Sequence, residues 1–438
     1  MSSWFFLNSC NRQTLPNVIF ITVDALRADH LGVYGYKYKT SPNIDKLAEK
    51  SIVFQFAYCP IPKTSASFAS IMTGLHPFIH KTKPNLGVLK KNFMTLAEAF
   101  EKRGYYTYAI VDNANLSKKF FFNQGFDKYE EVWTKIKRKT ESTGFITKKA
   151  LSFLNQSNKK PFFLWLHYIE PHTPYIPPKK YFNKFLKLIP RGRNIKEISK
   201  KVVVGTKYER DLVKIHPYEG YFVALYDAAV NYVDSKIGEI LKLFYRKFSK
   251  DTILIFSADH GEDLGDYNFY FDHGPLTFNS ASRIPLIIYL PEKKHKVIKT
   301  PVSNMDIYPT LLSIIKVKPN RKIDGKSLFW RKRKSRLLYI CGLKSSSMVT
   351  EKGGHFSVVS PQLADELGIE KRYFFNIFKD PLEQKNIIEK HAALAKVLDK
   401  KYYLYFKKHQ YFKFRKNVKK RKLSKKDLKS LKTLGYVN

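Results

Sequence analysis

The chain has 438 residues, with 79 Lys+Arg against 37 Asp+Glu and a formal net charge of +42. Apolar residues make up 44% and aromatics 15%, which supplies a large core and excludes the low-hydrophobicity composition of a disordered chain. No run of about 18 uncharged apolar residues occurs, which excludes a multi-span membrane protein. Three cysteines (Cys10, Cys59, Cys341) without a CxxC pair exclude a disulfide scaffold, a zinc ribbon and thioredoxin-like redox chemistry.

Residues 1–15 form a separate N-terminal segment. Its apolar stretch ending Leu7-Asn-Ser-Cys10 resembles the tail of a lipoprotein signal but lacks a basic n-region, and a frayed terminus is the alternative. An upstream start encoding that region would place the protein in the cell envelope or periplasm, lipid-anchored at Cys10; otherwise it is cytoplasmic.

Asn17–Val23 (NVIFITV) reads as a buried strand that ends at Asp24. Residues 43–51 and 93–103 read as helices, the second stopping at Gly104. Tyr105–Val111, Phe162–His167, Thr252–Ser257 and Ile284–Leu290 read as further strands. Residues 177–215 break this rhythm with Lys, Pro and Gly and read as a basic insertion able to act as a lid. Residues 219–246 carry the pattern of a long amphipathic helix.

Strands separated by helical segments predict an α/β fold, with a mainly parallel sheet sandwiched by helices over residues 16–330. The basic run Trp330–Arg336 marks the boundary to a smaller C-terminal α+β domain, residues 331–399. Residues 400–438 are a basic tail, with fifteen Lys/Arg against one acid, Asp427. Such a field attracts polyanions or anionic headgroups, and a solvated basic helix is the plain alternative. Specific nucleic-acid reading is not expected, because paired Cys/His spacing, an aromatic RNP run and a basic-plus-heptad segment are all missing. Oligomeric state is left open.

In a parallel α/β sheet, sites lie at the carboxyl ends of strands. Three segments there carry metal-binding chemistry: Asp24, Thr64 and the pair Asp259-His260. Two carboxylates, an imidazole and a hydroxyl suit Zn²⁺ or Mn²⁺, with Ca²⁺ or Mg²⁺ as alternatives, as one or two ions. Each residue also has an ordinary structural reading. Thr64 stands where a hydroxyl caps a helix over 65–72, Asp24 could close a turn, and Asp259-His260 could cap a loop. Their coincidence favours a site. A helix N-terminus behind Thr64 would also favour a phosphate or sulfate.

These segments, in shared order with Thr40-Ser-Pro-Asn-Ile-Asp-Lys-Leu-Ala48, Thr73-Gly-Leu-His-Pro77, Gly125-Phe-Asp127, Pro171-His-Thr-Pro-Tyr175, Arg283-Ile-Pro-Leu-Ile-Ile288, Asp306-Ile-Tyr-Pro-Thr310, Asp380-Pro-Leu-Glu-Gln-Lys-Asn386 and Leu434-Gly-Tyr436, resemble the sulfatase branch of the alkaline phosphatase superfamily. The resemblance implies an alkaline-phosphatase-like sheet and a metal held by Asp24, Thr64, Asp259 and His260. It also gives His172 and His273 catalytic roles, contacting the anion or protonating the leaving oxygen. The alternatives are a loop residue between prolines for His172 and a turn residue for His273.

Asn113, Lys63 and Lys81 are candidates to bind substrate; a strand-end turn and surface lysines are the alternatives. Glu262 and Asp263 are read as outer supports. His167 and Glu170 are read as structural, either being able to join a second ion.

The sequence also departs from that pattern. In sulfatases the nucleophile is a Cys or Ser, oxidised to formylglycine, in a Cys/Ser-x-Pro-x-Arg motif nine residues before the Thr of the Thr-Gly pair. Counting back from Thr73 reaches Thr64, with Ala66 and Phe68 in place of the Pro and Arg. Threonine cannot yield the aldehyde, and residues 111–116 read Val-Asp-Asn-Ala-Asn-Leu in place of Gly-Lys-x-His. The resemblance is therefore to phosphodiesterase and phosphotransferase relatives. It implies a metal-dependent hydrolase or transferase acting on phosphate mono- or diesters through a phosphothreonine on Thr64. The expected partner is an anionic ester, on an envelope lipid or glycan. The rivals are a sulfuric ester hydrolase without formylglycine and a non-catalytic polyanion- or membrane-binding protein.

Overall fold

The computed structural model describes residues 15–136, 139–156, 161–198, 207–329 and 336–409. Residues 1–14 with Cys10, the basic run 330–335 and tail residues 410–438 lie outside the described residues, as do 199–206 of the insertion.

Eight strands form the main sheet: β1 (Asn17–Val23), β2 (Ile52–Phe54), β3 (Tyr106–Val111), β4 (Lys128–Glu131), β5 (Phe162–Tyr168), β6 (Thr252–Ala258), β7 (Leu286–Tyr289) and β8 (Lys296–Ile298). Their spatial order is β8-β2-β7-β6-β1-β5-β3-β4. Only β7 runs against the rest, pairing antiparallel with both β6 and β2. The central strands are apolar on both faces: β5 and β6 are buried at every position, and β1 at all but its first. That continuous apolar run is what helices on both sides require.

Helices α1 (Pro42–Ala48), α2 (Thr64–Thr73), α3 (Ser142–Gln156) and α4 (Glu219–Lys247) pack within this layered core. α4 packs on α1 and α3, while α2 packs with the helical segments Leu96–Lys102 and Ile307–Ile314. Asp234 of α4 ties α1 to it, accepting from the backbone N–H of Asn43 (3.1 Å) and of Ile44 (2.9 Å).

A second, antiparallel sheet follows: β9 (Leu338–Cys341), β10 (Ser345–Val349), β11 (Gly354–Val359) and β12 (Arg372–Asn376), in that order. Helix α5 (Ala392–Lys408) covers one of its faces through Leu398, Tyr402 and Phe406, which share a core with Met348, Phe356 and Phe374. Among the described residues no helix is long and apolar enough to cross a membrane.

The single strand expected over Ile284–Leu290 is two. Pro285 lacks the N–H a ladder needs, so Arg283–Ile284 joins a small separate sheet and Leu286–Tyr289 becomes β7. The helices expected over 43–51 and 93–103 are shorter, Pro42–Ala48 and Leu96–Lys102. The basic insertion contains the helices Lys179–Leu186, Ile195–Ile198 and Lys207–Ile215. Cys59 and Cys341 are buried free thiols.

Candidate active site

Strand register brings the cluster together. Val23 at the end of β1 pairs with Tyr168 of β5 and Ala258 of β6, so the residues that follow, Asp24 and Asp259, emerge side by side. Both are fully buried. The Asp24 amide donates to the Tyr168 carbonyl (2.9 Å), and Asp259 Oδ1 accepts from the amides of His260 (3.0 Å) and Ala25 (3.3 Å).

His260 completes a group of three. Its Nδ1 lies 2.9 Å from the Gly261 carbonyl, a contact that only a protonated Nδ1 can make. Burial pushes the ring down to about 4, against the opposing pull of Asp24, so it is neutral at physiological pH and Nε2 carries a lone pair. That Nε2 lies 3.3 Å from Asp259 Oδ2 and 3.6 Å from Asp24 Oδ1. Neither carboxylate oxygen has a hydrogen-bond donor, although both are buried. Burial and the neighbouring Asp24 charge push the Asp259 carboxyl well above the usual carboxylate range, so two ionised carboxylates and a nitrogen lone pair face one another here only with a cation between them. The donor set therefore fits a divalent metal.

Thr64 is the first residue of α2, and Lys63 is the N-cap, with no side-chain cap bond. The Thr64 hydroxyl is thus not a cap. It is buried and lies 3.3 Å from His260 Nε2, where it faces the same focus as the carboxylates. The α2 N-terminus contributes unpaired N–H groups and partial positive charge at that point.

Around this focus stand the other predicted residues. Asn113, just past β3, donates its side-chain N–H to Asp24 Oδ2. Its position beside a ligand oxygen makes it a brace for Asp24. The His273 ring stacks on His260 with centroids 4.0 Å apart, and His172 meets His273 edge-on at 5.1 Å. Burial lowers the pKa of both, so both are neutral bases at physiological pH. Glu262 Oε1 accepts from His273 Nδ1 at 3.2 Å, which directs Nε2 away from it. Asp263 Oδ1 accepts from the Ser280 hydroxyl at 2.5 Å.

Lys63 is buried, with its ammonium 3.7 Å from Asp272 Oδ1. It passes over Gly274 so closely that a Cβ there would sit 2.1 Å from Lys63 Cε. Glu262, Asp272 and His273 form a second group with metal-ligand spacing. Lys81 is not brought to this cluster. It ends the short helix Pro77–His80 in a left-handed turn (φ 55°), which leaves its side chain in solvent.

Sequence reasoning missed two members of the surroundings. Asp112 is buried with no hydrogen bond to either oxygen, and burial, then the Glu170 charge, push it up to about 7. Lys139 donates to the carbonyls of His172 (2.5 Å) and Pro174 (3.0 Å), fixing the loop that carries His172. His167 also stands closer to the chemistry than a structural role implies: Nε2 is 3.4 Å from Asp24 Oδ2. Adjacent strand ends were the available signal, since Asp112 directly follows β3 and β3 pairs with β5.

The family model described as Sulfatase matches residues 16–317. The chain belongs to the sulfatase family. It is 26% identical to an arylsulfatase of Clostridium perfringens (strain 13 / Type A), over 85% of this chain and 90% of that protein. Among solved structures, a phosphonate monoester hydrolase of Agrobacterium radiobacter superposes with a TM-score of 0.68 at 18% identity, over 90% of this chain and 96% of the other. A protein solved in complex with its substrate D-glucosamine-2-N,6-O-disulfate gives a TM-score of 0.73 at 20% identity, over 92% and 99%. The protein is thus an enzyme of the alkaline phosphatase superfamily with its sheet architecture. Sulfatase-family enzymes are metal-dependent, and Asp24, Asp259 and His260 form one of two groups with metal-ligand spacing among the described residues.

Proposed function

We propose that this sulfatase-family enzyme cleaves or transfers a phosphate ester through a covalent phosphothreonine on Thr64. The observation that carries this reading is the Thr64 hydroxyl, freed from capping and 3.3 Å from His260 Nε2. Asp24, Asp259 and His260 would hold a divalent cation, whose positive charge would lower the hydroxyl pKa and offset the charge of the anionic ester.

The chain's own residues do the rest. Thr64 attacks phosphorus in line, its proton passing to a neutral imidazole, His172 or His273, as the P–O bond forms and the ester oxygen departs with the bonding electrons. His172 and His273, neutral and in edge-on contact with each other, are placed to shuttle protons to the departing oxygen and from the incoming water or acceptor hydroxyl. Lys63 holds the ester's negative charge, and Asn113 keeps Asp24 in place. Attack by water or an acceptor then releases the phosphoryl group and restores the threonine.

On the comparisons alone, sulfate ester hydrolysis is the better supported reaction, because relatives such as the arylsulfatase carry that name. The departure at residue 64 moves the assignment, since threonine cannot form the aldehyde hydrate by which a formylglycine enzyme expels sulfate. Sulfate ester hydrolysis is the second reading. The phosphonate monoester hydrolase neighbour lends the phosphorus-centred reading weight at the level of fold. The substrate proposed is an anionic ester on an envelope lipid or glycan, drawn to a strongly basic chain.

Peptide mass spectrometry of metal-loaded enzyme, acid-quenched during turnover of an aryl phosphodiester and in parallel an aryl sulfate, separates these. A phosphoryl adduct on Thr64 is expected. Rapid sulfate release without an adduct would replace the phosphate assignment with the sulfatase one.

A further inference from the structure

Helix α5 is amphipathic in an unusual way. At 100° per residue, Ala395, Leu398, Tyr402 and Phe406 fall on one side and are buried against the C-terminal sheet. On the outer side Leu394, Val397 and Leu404 fall within one stripe about 80° wide, centred about 125° round from the buried side, exposed at 45%, 52% and 55%. Lys401 and Lys408 lie in the same stripe, and Lys396, Lys400 and Lys407 flank it. Phe378, Leu382 and Tyr403 are exposed nearby in sequence, so residues 378–404 hold six of the twelve exposed large apolar side chains among the described residues. Leu394, Val397, Lys401 and Leu404 follow one another at helical spacing, so the three apolar side chains form one strip along the helix rather than isolated exposures.

We propose that the outer stripe of α5 docks the protein on an anionic lipid surface. The occupant follows from charge. Apolar side chains with lysines among and beside them match a bilayer boundary, where acyl chains lie beneath anionic headgroups and the lysine stems reach outward. The fifteen Lys/Arg against one acid over residues 400–438 extend the same attraction. A second copy of the chain would set lysines against lysines. Docking here involves no residue of the catalytic cluster, and it does not rest on the phosphate assignment.

The test is co-sedimentation of the full chain with vesicles of phosphatidylglycerol and phosphatidylcholine, and with phosphatidylcholine alone. The comparison variant is Leu394→Ser/Val397→Ser/Leu404→Ser. Binding to the anionic vesicles is expected, weakening steeply with salt and falling about tenfold or more in the triple variant. Equal binding of variant and parent would overturn the proposal, as would failure of the parent to bind anionic vesicles or equal binding to neutral ones. Light scattering of the parent as a dimer, converted to monomer by the triple variant, would assign the stripe to self-association instead. Should the triple variant not fold, Lys401→Glu/Lys408→Glu takes its place: lost vesicle binding supports the proposal, and unchanged binding sinks it.

Discussion

Thr64 Oγ1 and His260 Nε2 lie 3.3 Å apart, although 196 positions separate them in the chain. The contact exists because α2 starts where the β6 loop turns, and because the Thr64 hydroxyl makes no cap bond. Thr64→Ala should therefore fold normally, bind metal more weakly and lose on the order of 10³-fold or more in kcat. Thr64→Ser, which keeps the hydroxyl, should retain a measurable part. Steady-state kinetics with a circular dichroism control decides the matter; full activity in the alanine variant would remove Thr64 as nucleophile.

Metal should stabilise the fold, because Asp24 and Asp259 otherwise hold unpaired buried oxygens against each other. Adding Zn²⁺ or Mn²⁺ at 100 times its Kd to chelator-treated protein should add about 2.7 kcal/mol, seen as a rise in Tm. In Asp24→Asn the rise should shrink or vanish. An identical metal-induced rise in that variant would show that the ion binds elsewhere.

Asp112 makes a pH-dependent contribution of opposite sign to the usual carboxylate. Its pKa is pushed up to about 7 in the folded chain, from an ordinary 3.8. The folded state therefore holds this proton more tightly than the unfolded state, and stability falls as pH rises from about 4 to about 7. In metal-free protein, Asp112→Asn should raise Tm at pH 8 and change it little at pH 4, a difference on the order of 2–4 kcal/mol. Denaturation at the two pH values tests this, and equal effects at both would contradict it.

Gly274 adopts φ +106° and lies under the Lys63 side chain. Alanine there would be strained and would push the flexible Lys63 end aside, at a cost of about 1–2 kcal/mol in stability. If Lys63 holds the substrate anion, Gly274→Ala should raise KM several-fold while kcat changes less. A change confined to kcat would argue that Lys63 does not bind the ground-state anion.

The Asp234 carboxylate anchors the start of α1 to α4 through the Asn43 and Ile44 amides. Asp234→Ala should cost about 2–3 kcal/mol in urea denaturation, because the buried Ile44 N–H and the half-buried Asn43 N–H lose their acceptor. A loss below about 0.5 kcal/mol would mean that water replaces the carboxylate.

The pattern of residues alone determined the strand–helix alternation and the chemical type of the site. NVIFITV read as a strand buried on both faces, and of the candidates Asp24, Thr64 and Asp259-His260 the two carboxylates and the imidazole come together with metal-ligand spacing. Short elements escaped, since Ile52–Phe54 and Lys128–Glu131 are too brief to show a period. Strand order was not legible either, and it decides which strand ends meet. That is why Asp112, Lys139 and His167 entered the site only in three dimensions, and why Lys81, chemically as suitable as Lys63, lies in solvent. Whether Thr64 caps the helix was likewise tertiary: α2 begins at Thr64 itself, which puts Lys63 at the cap and the hydroxyl toward His260.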